Sequence, residues 1–234
     1  MGILKFPQDE AAIRSILPKV DYSNALVPDC SDELLAATCD HALQYGFAAV
    51  AVFPICIGYV AKRLAGSTTK AQIAAGFPCG GNLTETKLLE AKLGLEAGAG
   101  EVDMVISIQR FLNGDYNYCQ DEIQQMVELA AGYKVGVKVI IEVGFLKNDE
   151  MKLKAGSLAV AGGAEFIKVA TGWWGRANDH DIQLLVENFG DKAKIKASGG
   201  ILSLEDMANY IKIGASRAAG RIEIVNQLAA MGFK

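Results

Sequence analysis

The sequence predicts an α/β fold in which eight parallel strands close into one barrel, with helices outside it. Apolar runs rich in β-branched residues alternate with amphipathic stretches along the chain, which indicates repeated βα units and a parallel sheet. The 234 residues are 51% hydrophobic, enough to bury the core of one such barrel. Eight units without a long linker fit a closed (β/α)8, or TIM, barrel better than an open doubly wound sheet. We therefore expect a single domain over residues 1–234, with residues 1–18 as a helical extension.

Each strand is placed where a short apolar run ends at turn-forming residues. In chain order the strands are residues 19–22, 47–53, 72–77, 101–106, 135–143, 166–170, 194–197 and 216–219. Amphipathic helices are predicted between and after them, at residues 31–45, 85–97, 116–131, 149–161, 179–188, 204–213 and 223–231. Another amphipathic segment, near residues 8–17, precedes the first strand and is expected to cover the bottom of the barrel.

Residues with capping preferences lie at several of these helix ends. Ser31 and Ser203 are suited to cap amino termini, because a serine hydroxyl accepts a hydrogen bond from a free amide of the first turn. Glycine lies where a left-handed residue commonly ends a helix, at Gly46, Gly98, Gly162 and Gly214. These caps support the predicted boundaries.

Composition argues against several classes of function. The 23 basic and 27 acidic residues give a net charge of −4 without a polybasic stretch, so nucleic acid and an anionic membrane surface are not expected partners. The longest apolar stretch, residues 47–61, contains Pro54 and Gly58 and is shorter than the roughly 20 residues that span a bilayer. We expect a cytoplasmic protein that acts on a small molecule.

Cysteine and histidine are too few and too scattered to suggest a metal site. The five cysteines include no CxxC pair, and His41 and His180 lie in predicted helices, away from strand ends. Reduced thiols are therefore expected in place of disulfides or zinc ligands. No metal is expected in the functional site.

The strongest functional signal is a pair of lysines, each closing a short apolar strand. Lys168 follows the apolar run of "AEFIKVATG", and Lys196 lies in "KIKASGG" on the next strand. Since side chains alternate between the two faces of a strand, Lys168 and Asp103 of "EVDMVI" are expected to point into the barrel. A buried lysine beside a second cation has a lowered pKa, and the neutral amine can attack a carbonyl carbon.

One lysine alone would more simply form a salt bridge or reach solvent. Two lysines on adjacent strands with an inward aspartate favour Schiff-base aldolase chemistry instead. In that chemistry Lys168 is the nucleophile, Lys196 the cation that lowers its pKa, and Asp103 a proton shuttle.

Four segments, "GEVDMVI", "VKVIIEVGFL", "AEFIKVATG" and "KIKASGGI", closely resemble the deoxyribose-phosphate aldolase family in sequence, order and spacing. The resemblance covers nearly the whole chain. It implies a TIM barrel that forms an imine with acetaldehyde and adds it reversibly to glyceraldehyde 3-phosphate. It also places the imine lysine at Lys168, the second lysine at Lys196 and the acid/base aspartate at Asp103, with no cofactor beyond the covalent imine on Lys168.

Other polar residues are expected to have supporting roles. Asp21 and Ser23 match a polar turn near the first strand, where they contact substrate hydroxyl groups or cap the turn. Lys138 and Glu142 are expected on the inward face of the fifth strand, in a charge network that holds the catalytic groups in position.

The chain departs from the family at the phosphate end of the site. Leu202 follows the "SGGI" turn where family members usually have a basic residue, and residues 219–222 replace a Gly-Thr-Ser-Ser type of turn. A phosphate could still bind glycine amides and arginine, with Arg176 as a further donor. The candidate substrate and phosphate contacts are Thr171, Gly172, Gly199, Gly200, Gly220 and Arg221. Alternatives are a different or unphosphorylated acceptor aldehyde, and a sugar-phosphate isomerase or binding barrel without aldol chemistry.

Trp173 and Trp174, in the loop after Lys168, leave two explanations open. They either wall the mouth of the substrate site or contact another subunit, since exposed aromatic residues commonly form interfaces. Oligomers are common among barrels, and we expect a homo-oligomer.

Overall fold

A computed structural model describes residues 10–233 and has the predicted architecture. Eight parallel strands pair in chain order, and the eighth pairs with the first to close the barrel. The strands are β1 (Val20–Tyr22), β2 (Ala49–Val52), β3 (Lys70–Ala75), β4 (Glu101–Val105), β5 (Val137–Ile140), β6 (Phe166–Lys168), β7 (Lys194–Ala197) and β8 (Arg217–Gly220). The prediction of a (β/α)8 barrel is confirmed.

Ten α-helices are present in the described part of the chain. They are α1 (Glu10–Ile16), α2 (Asp32–Tyr45), α3 (Ile57–Arg63), α4 (Thr84–Glu96), α5 (Ile108–Leu112), α6 (Tyr116–Ala131), α7 (Asp149–Ala161), α8 (Asp179–Phe189), α9 (Leu204–Ile213) and α10 (Ile222–Ala230). Of the amphipathic segment predicted near residues 8–17, the first two residues lie outside the described ones. Residues 10–16 form α1, which packs against α9 and in which Ile13 and Ile16 are buried.

Two helices were not predicted, and their sequences explain why. Pro54 and Gly58 interrupt the apolar stretch of residues 47–61 in sequence, but Gly58 lies within α3, and Pro54 lies in the first turn of a short 3-10 helix that leads into α3. Proline is tolerated there, because first-turn amides have no partner within the helix. The five-residue α5 is too short to show an amphipathic period.

The capping residues are largely as predicted. The hydroxyls of Ser31 and Ser203 accept hydrogen bonds from the amides of Leu34 and Asp206, at 3.1 and 3.0 Å. Gly46, Gly98 and Gly214 have positive φ angles, but Gly162 does not, with φ of −76°. The left-handed residue after α7 is Gly163, one position later, at φ of 83°.

Strand register places the inward polar residues of neighbouring strands side by side. Asp103 is aligned with Lys138 on the next strand, Lys168 with Lys196, and Lys196 with Arg217. Outward residues of the same strands, such as Val102 and Met104, are buried against the helices. The barrel interior therefore contains a layer of charge inside a shell of apolar packing.

Among residues 10–233, the structure contains no helix that is both long enough and apolar enough to cross a membrane.

Candidate active site

A cavity of about 330 Å³ opens at the carboxyl ends of the strands, where barrels of this kind hold their functional residues. Lys168 and Lys196 lie on its wall together with Phe77, which follows β3. Lys168 Nζ is 5.9 Å from the centre of the Phe77 ring. The remaining lining comes mainly from the loops after β1, β6, β7 and β8.

Lys168 is buried and has a single carboxylate partner. Its Nζ donates a hydrogen bond to Asp103 Oδ2 at 2.6 Å. Burial lowers the pKa of Lys168, the Lys196 ammonium lowers it further, and Asp103 only partly opposes them, so that the pKa is about 8. At such a pKa about a tenth of the amine is neutral at pH 7, far more than for an ordinary lysine with a pKa of about 10.4.

Asp103 contacts all three lysines of the barrel interior. Its carboxylate lies 2.6 Å from Lys168 Nζ, 3.1 Å from Lys196 Nζ and 3.5 Å from Lys138 Nζ. Burial raises the pKa of Asp103, but the three ammonium groups outweigh that effect and bring the pKa to about 2. Asp103 is thus an anion between two amines, well placed to accept and return a proton. The convergence predicted for Asp103, Lys168 and Lys196 is present.

Asp21 lies deeper in the barrel than the sequence suggested. It is fully buried, with Oδ2 at 2.6 Å from Lys196 Nζ and Oδ1 at 2.5 Å from Arg217 Nη1. It therefore neither caps a turn nor reaches the substrate, but supplies Lys196 with a second carboxylate. Ser23 does lie on the cavity wall, where its hydroxyl donates a 3.3 Å hydrogen bond to the Gly220 carbonyl.

Gln72 was missed by the sequence interpretation. It is fully buried on β3, and its Oε1 accepts hydrogen bonds from Lys138 Nζ at 3.1 Å and Lys196 Nζ at 3.5 Å. Its position among the apolar residues of β3 was the available signal, because a buried amide in "KAQIAA" requires polar partners.

Glu142 does not belong to the charge network of Lys138, and the prediction that both share the face of β5 is wrong. The strand ends at Ile140, and Glu142 has a left-handed backbone with φ of 51°. This turn directs its carboxylate to the loop after β6, where it accepts hydrogen bonds from the amides of Thr171 and Gly175 at 2.9 and 2.8 Å. The Thr171 hydroxyl also donates to it. Glu142 therefore fixes the loop that follows Lys168.

Replacing Glu142 with glutamine is expected to loosen this loop. The glutamine NH2 group would face an amide donor, and the hydrogen bonds to a charged oxygen would be lost. Because such bonds contribute about 1.5–3 kcal/mol, hydrogen exchange at the amides of Thr171 and Gly175 should accelerate roughly tenfold to a hundredfold. Glu128→Gln, on the exposed face of α6, is the control. Unchanged protection in Glu142→Gln would show that the carboxylate does not hold the loop.

Three glycines of the predicted phosphate site lie together on the cavity wall. Gly172, Gly199 and Gly200 all have positive φ, which glycine adopts without strain. Within residues 10–233 their amides donate no hydrogen bond to protein, so these donors are available to an anion. Thr171 also lines the cavity. Gly220 lies behind the wall, which is formed there by Ala219 and Arg221.

The two arginines named as phosphate donors, Arg176 and Arg221, line this end of the cavity. Neither guanidinium forms an ion pair with another residue of the described chain. Leu202 also lines the cavity and is about half exposed. At the start of α10 the amide of Ile222 donates to Asn24 Oδ1 at 3.2 Å, so this first-turn amide is not free to bind a phosphate.

The two tryptophans have different surroundings. Trp173 lies on the cavity wall and is 51% exposed, which fits the prediction of an aromatic wall at the mouth. Trp174 stays outside the cavity lining and packs against Phe145, with ring centres 5.4 Å apart.

One group of ligand-type side chains lies away from the cavity, on α7 and α8. Asp149, His180 and Asp181 approach one another there. Lys152 Nζ is 2.6 Å from Asp181 Oδ1 and 3.7 Å from Asp149 Oδ1. The ammonium offsets part of the charge of these carboxylates, which fits an ion-pair cluster better than a cation site.

Comparison with known proteins identifies relatives over most of the chain. The family model described as DeoC/LacD family aldolase matches residues 15–233. The curated deoxyribose-phosphate aldolase of Clostridium perfringens is 40% identical over 209 residues, which are 89% of this chain and 92% of the relative. Among solved structures, the aldolase QR15 has a TM-score of 0.85 and 28% identity, covering 93% of this chain and 97% of that one. The tetrameric deoxyribose phosphate aldolase from Aeropyrum pernix has a TM-score of 0.85 and 25% identity, covering 94% and 93%.

Proposed function

Since the chain belongs to the DeoC/LacD family of aldolases and is a lyase, we propose that it cleaves 2-deoxy-D-ribose 5-phosphate reversibly to acetaldehyde and glyceraldehyde 3-phosphate. The reaction proceeds through a Schiff base on Lys168. The observation that carries the proposal is the placement of Lys168, a buried amine with a lowered pKa on the wall of the cavity, 2.6 Å from the Asp103 carboxylate.

In the direction of synthesis, the neutral amine of Lys168 adds to the carbonyl carbon of acetaldehyde. Loss of water from the carbinolamine gives an iminium ion, which withdraws electrons from the neighbouring methyl group. Removal of a methyl proton then gives an enamine. The enamine carbon attacks the aldehyde carbon of the acceptor, whose oxygen takes up a proton, and hydrolysis of the new iminium frees the product and the amine.

Asp103 supplies the proton transfers of this reaction, and Lys196 supplies the charge that activates Lys168. Asp103 lies between the two amines and can accept a proton from one and pass it to the other, directly or through water. Lys196, held by Asp21 and Asp103, keeps a positive charge near Lys168 and favours the neutral form of its amine. No metal or organic cofactor takes part in this proposal.

The acceptor phosphate is assigned to the glycine amides of the loops after β6 and β7, with Arg176 and Arg221 as charged donors. Two observations favour a second candidate, an unphosphorylated acceptor. Leu202 contributes an apolar surface at this end of the cavity, and Asn24 occupies the first amide of α10. The chemistry on Lys168 is the same for both acceptors.

An isomerase that works through an enediol is less well supported. That chemistry requires a carboxylate base facing the substrate. The glutamate nearest to the loops of the site, Glu142, has both carboxylate oxygens engaged by the loop after β6.

Substrate comparison tests the proposed function. The purified protein should release acetaldehyde from 2-deoxy-D-ribose 5-phosphate, measured by coupled reduction with alcohol dehydrogenase and NADH, at a rate unaffected by EDTA. The unphosphorylated sugar should show a kcat/KM lower by a factor of about 10 or more, because it lacks charge-assisted hydrogen bonds. A higher kcat/KM for 2-deoxy-D-ribose would show that the acceptor aldehyde is unphosphorylated. Release of acetaldehyde from neither sugar would contradict the proposed substrate.

A homo-oligomer in the cytoplasm remains part of the proposal. It is supported by the tetrameric state of the relative from Aeropyrum pernix and by exposed apolar side chains such as Ile55, Leu89 and Leu93.

A further inference from the structure

We propose that Arg217 is a positioning residue that keeps Lys168 in its neutral, nucleophilic form from the opposite end of the barrel interior. The inference rests on the Schiff-base function proposed for Lys168. It concerns a residue outside the cavity wall, near the amino-terminal ends of the strands.

Arg217 ties two carboxylates together. Its Nη1 donates to Asp21 Oδ1 at 2.5 Å and its Nη2 to Glu101 Oε1 at 3.0 Å. Asp21 in turn contacts Lys196 at 2.6 Å. Lys196 contacts Asp103 at 3.1 Å, and Asp103 is the partner of Lys168. Arg217 thus connects to Lys168 through an unbroken series of ion pairs.

This cluster contains one more basic group than it has carboxylates. The carboxylates are Asp21, Glu101 and Asp103, and the basic groups are Lys138, Lys168, Lys196 and Arg217. With every basic group protonated the cluster carries a net charge of +1, and it is neutral when one amine has lost its proton. A buried cluster is favoured when its charges cancel, because an uncompensated charge is poorly solvated there.

The contacts determine which amine gives up the proton. Lys138 lies within ion-pair distance of all three carboxylates, and Lys196 within that distance of Asp21 and Asp103. Lys168 has Asp103 alone. The least compensated ammonium is therefore that of Lys168. Arg217 supplies a positive charge that balances the carboxylates when Lys168 is neutral.

The charged groups around Lys168 come from every neighbouring element. Lys138 approaches from β5, Lys196 from β7 and Asp103 from β4, while Arg176 and Arg221 line the same cavity. Burial and the positive charges lower the pKa of Lys168, and Asp103 raises it. The variants below leave all of these groups unchanged. A shift in the pH dependence of Lys168 is therefore caused by the substituted residue.

Two substitutions in the cluster should act in opposite directions. Arg217→Met removes a positive charge, which leaves three amines for three carboxylates and lets Lys168 keep its proton to higher pH. Glu101→Gln removes a negative charge and should make Lys168 lose its proton at lower pH. Each shift is expected to be about half to one pH unit.

The test measures imine formation on Lys168 as a function of pH. Each protein is mixed with acetaldehyde, quenched with borohydride after a short time, and analysed by mass spectrometry for the ethyl adduct on the Lys168 peptide. The pH at which adduct formation is half-maximal should rise in Arg217→Met and fall in Glu101→Gln. It should stay at the wild-type value in Arg217→Lys, which retains the charge. Arg63→Met, which breaks the exposed pair with Asp40, should leave the profile unchanged.

The outcomes separate this inference from the proposed function. If the wild type forms no adduct at any pH, the Schiff-base function is wrong. If the wild type forms the adduct but Arg217→Met and Glu101→Gln share its midpoint or shift in the same direction, Arg217 has only a structural role. Thermal unfolding of each variant shows that the comparison is made on folded protein. If the methionine variant does not fold, the downward shift expected in Glu101→Gln decides, and an unshifted midpoint there contradicts the role of charge balance.

Discussion

Replacing Lys168 with methionine is expected to abolish covalent trapping by acetaldehyde and borohydride and to lower turnover on the order of 10⁴-fold or more. Methionine preserves most of the length and apolar character of the side chain but has no amine to form the imine. In the wild type, the trapped fraction should rise with pH through about 8, because the neutral amine forms as the lysine loses its proton. Mass spectrometry of the reduced protein should locate the adduct on Lys168.

A lysine on a neighbouring strand provides the matched control. Lys194 begins β7, two residues before Lys196, and forms an exposed ion pair with Glu165. Lys194→Met should therefore trap acetaldehyde and turn over as the wild type does. An adduct of normal yield in Lys168→Met, or an adduct on Lys196 in the wild type, would assign the nucleophile to another residue.

The structural consequence of Lys168→Met separates chemistry from folding. Asp103 would lose one of three lysine partners but would keep Lys196 and Lys138. The carboxylate therefore remains compensated, and the variant should unfold at a temperature close to that of the wild type.

Features of the site that depend on strand periodicity could be predicted from sequence. Asp103, Lys168 and Lys196 each occupy an inward position of a short strand, and side-chain alternation together with barrel closure is enough to bring them together. The strands could be placed because their apolar runs are bounded by glycines and polar turns. The barrel and its central residues follow from these local patterns.

Features that depend on the height of a residue in the barrel could not be predicted in this way. Asp21 was expected at a polar turn near the first strand, as a substrate contact or a cap, yet it lies within β1, beside Lys196 and Arg217. Alternation gives the face of a strand but does not give the depth at which a side chain meets its neighbours. The sequence around Gln72 indicates that it needs polar partners but not which ones, since these come from β5 and β7.

Local backbone conformation accounts for the error at Glu142. An apolar run that continues past Ile140 predicts an extended strand, but the left-handed residue at 142 ends it. A non-glycine residue adopts this conformation when tertiary contacts stabilise it, and here those contacts are amides of a loop about 30 residues later. Sequence periodicity carries no signal of such a contact.

Asp103→Asn is expected to separate imine formation from turnover. The asparagine side chain would keep the size of the aspartate but could neither accept a proton nor balance the lysines around it. Turnover should fall by roughly 10² to 10⁴-fold, the usual contribution of a general acid–base group. The negative charge of Asp103 raises the pKa of Lys168, so its removal should lower that pKa and increase the neutral fraction of the amine at pH 7.

The variant should therefore still form the acetaldehyde adduct after prolonged incubation, although its steady-state rate is low. The pH midpoint of adduct formation should lie below that of the wild type. Asp40→Asn, at an exposed ion pair, should change neither quantity. If Asp103→Asn loses trapping and turnover together while remaining folded, Asp103 is needed to hold Lys168 in place. If it keeps both, the proton must move by another route. The charge of Asp103 disfavours the neutral amine of Lys168, whereas its carboxylate promotes turnover by transferring protons. Retained trapping together with lost turnover is therefore the result expected of an aspartate that serves as the proton shuttle.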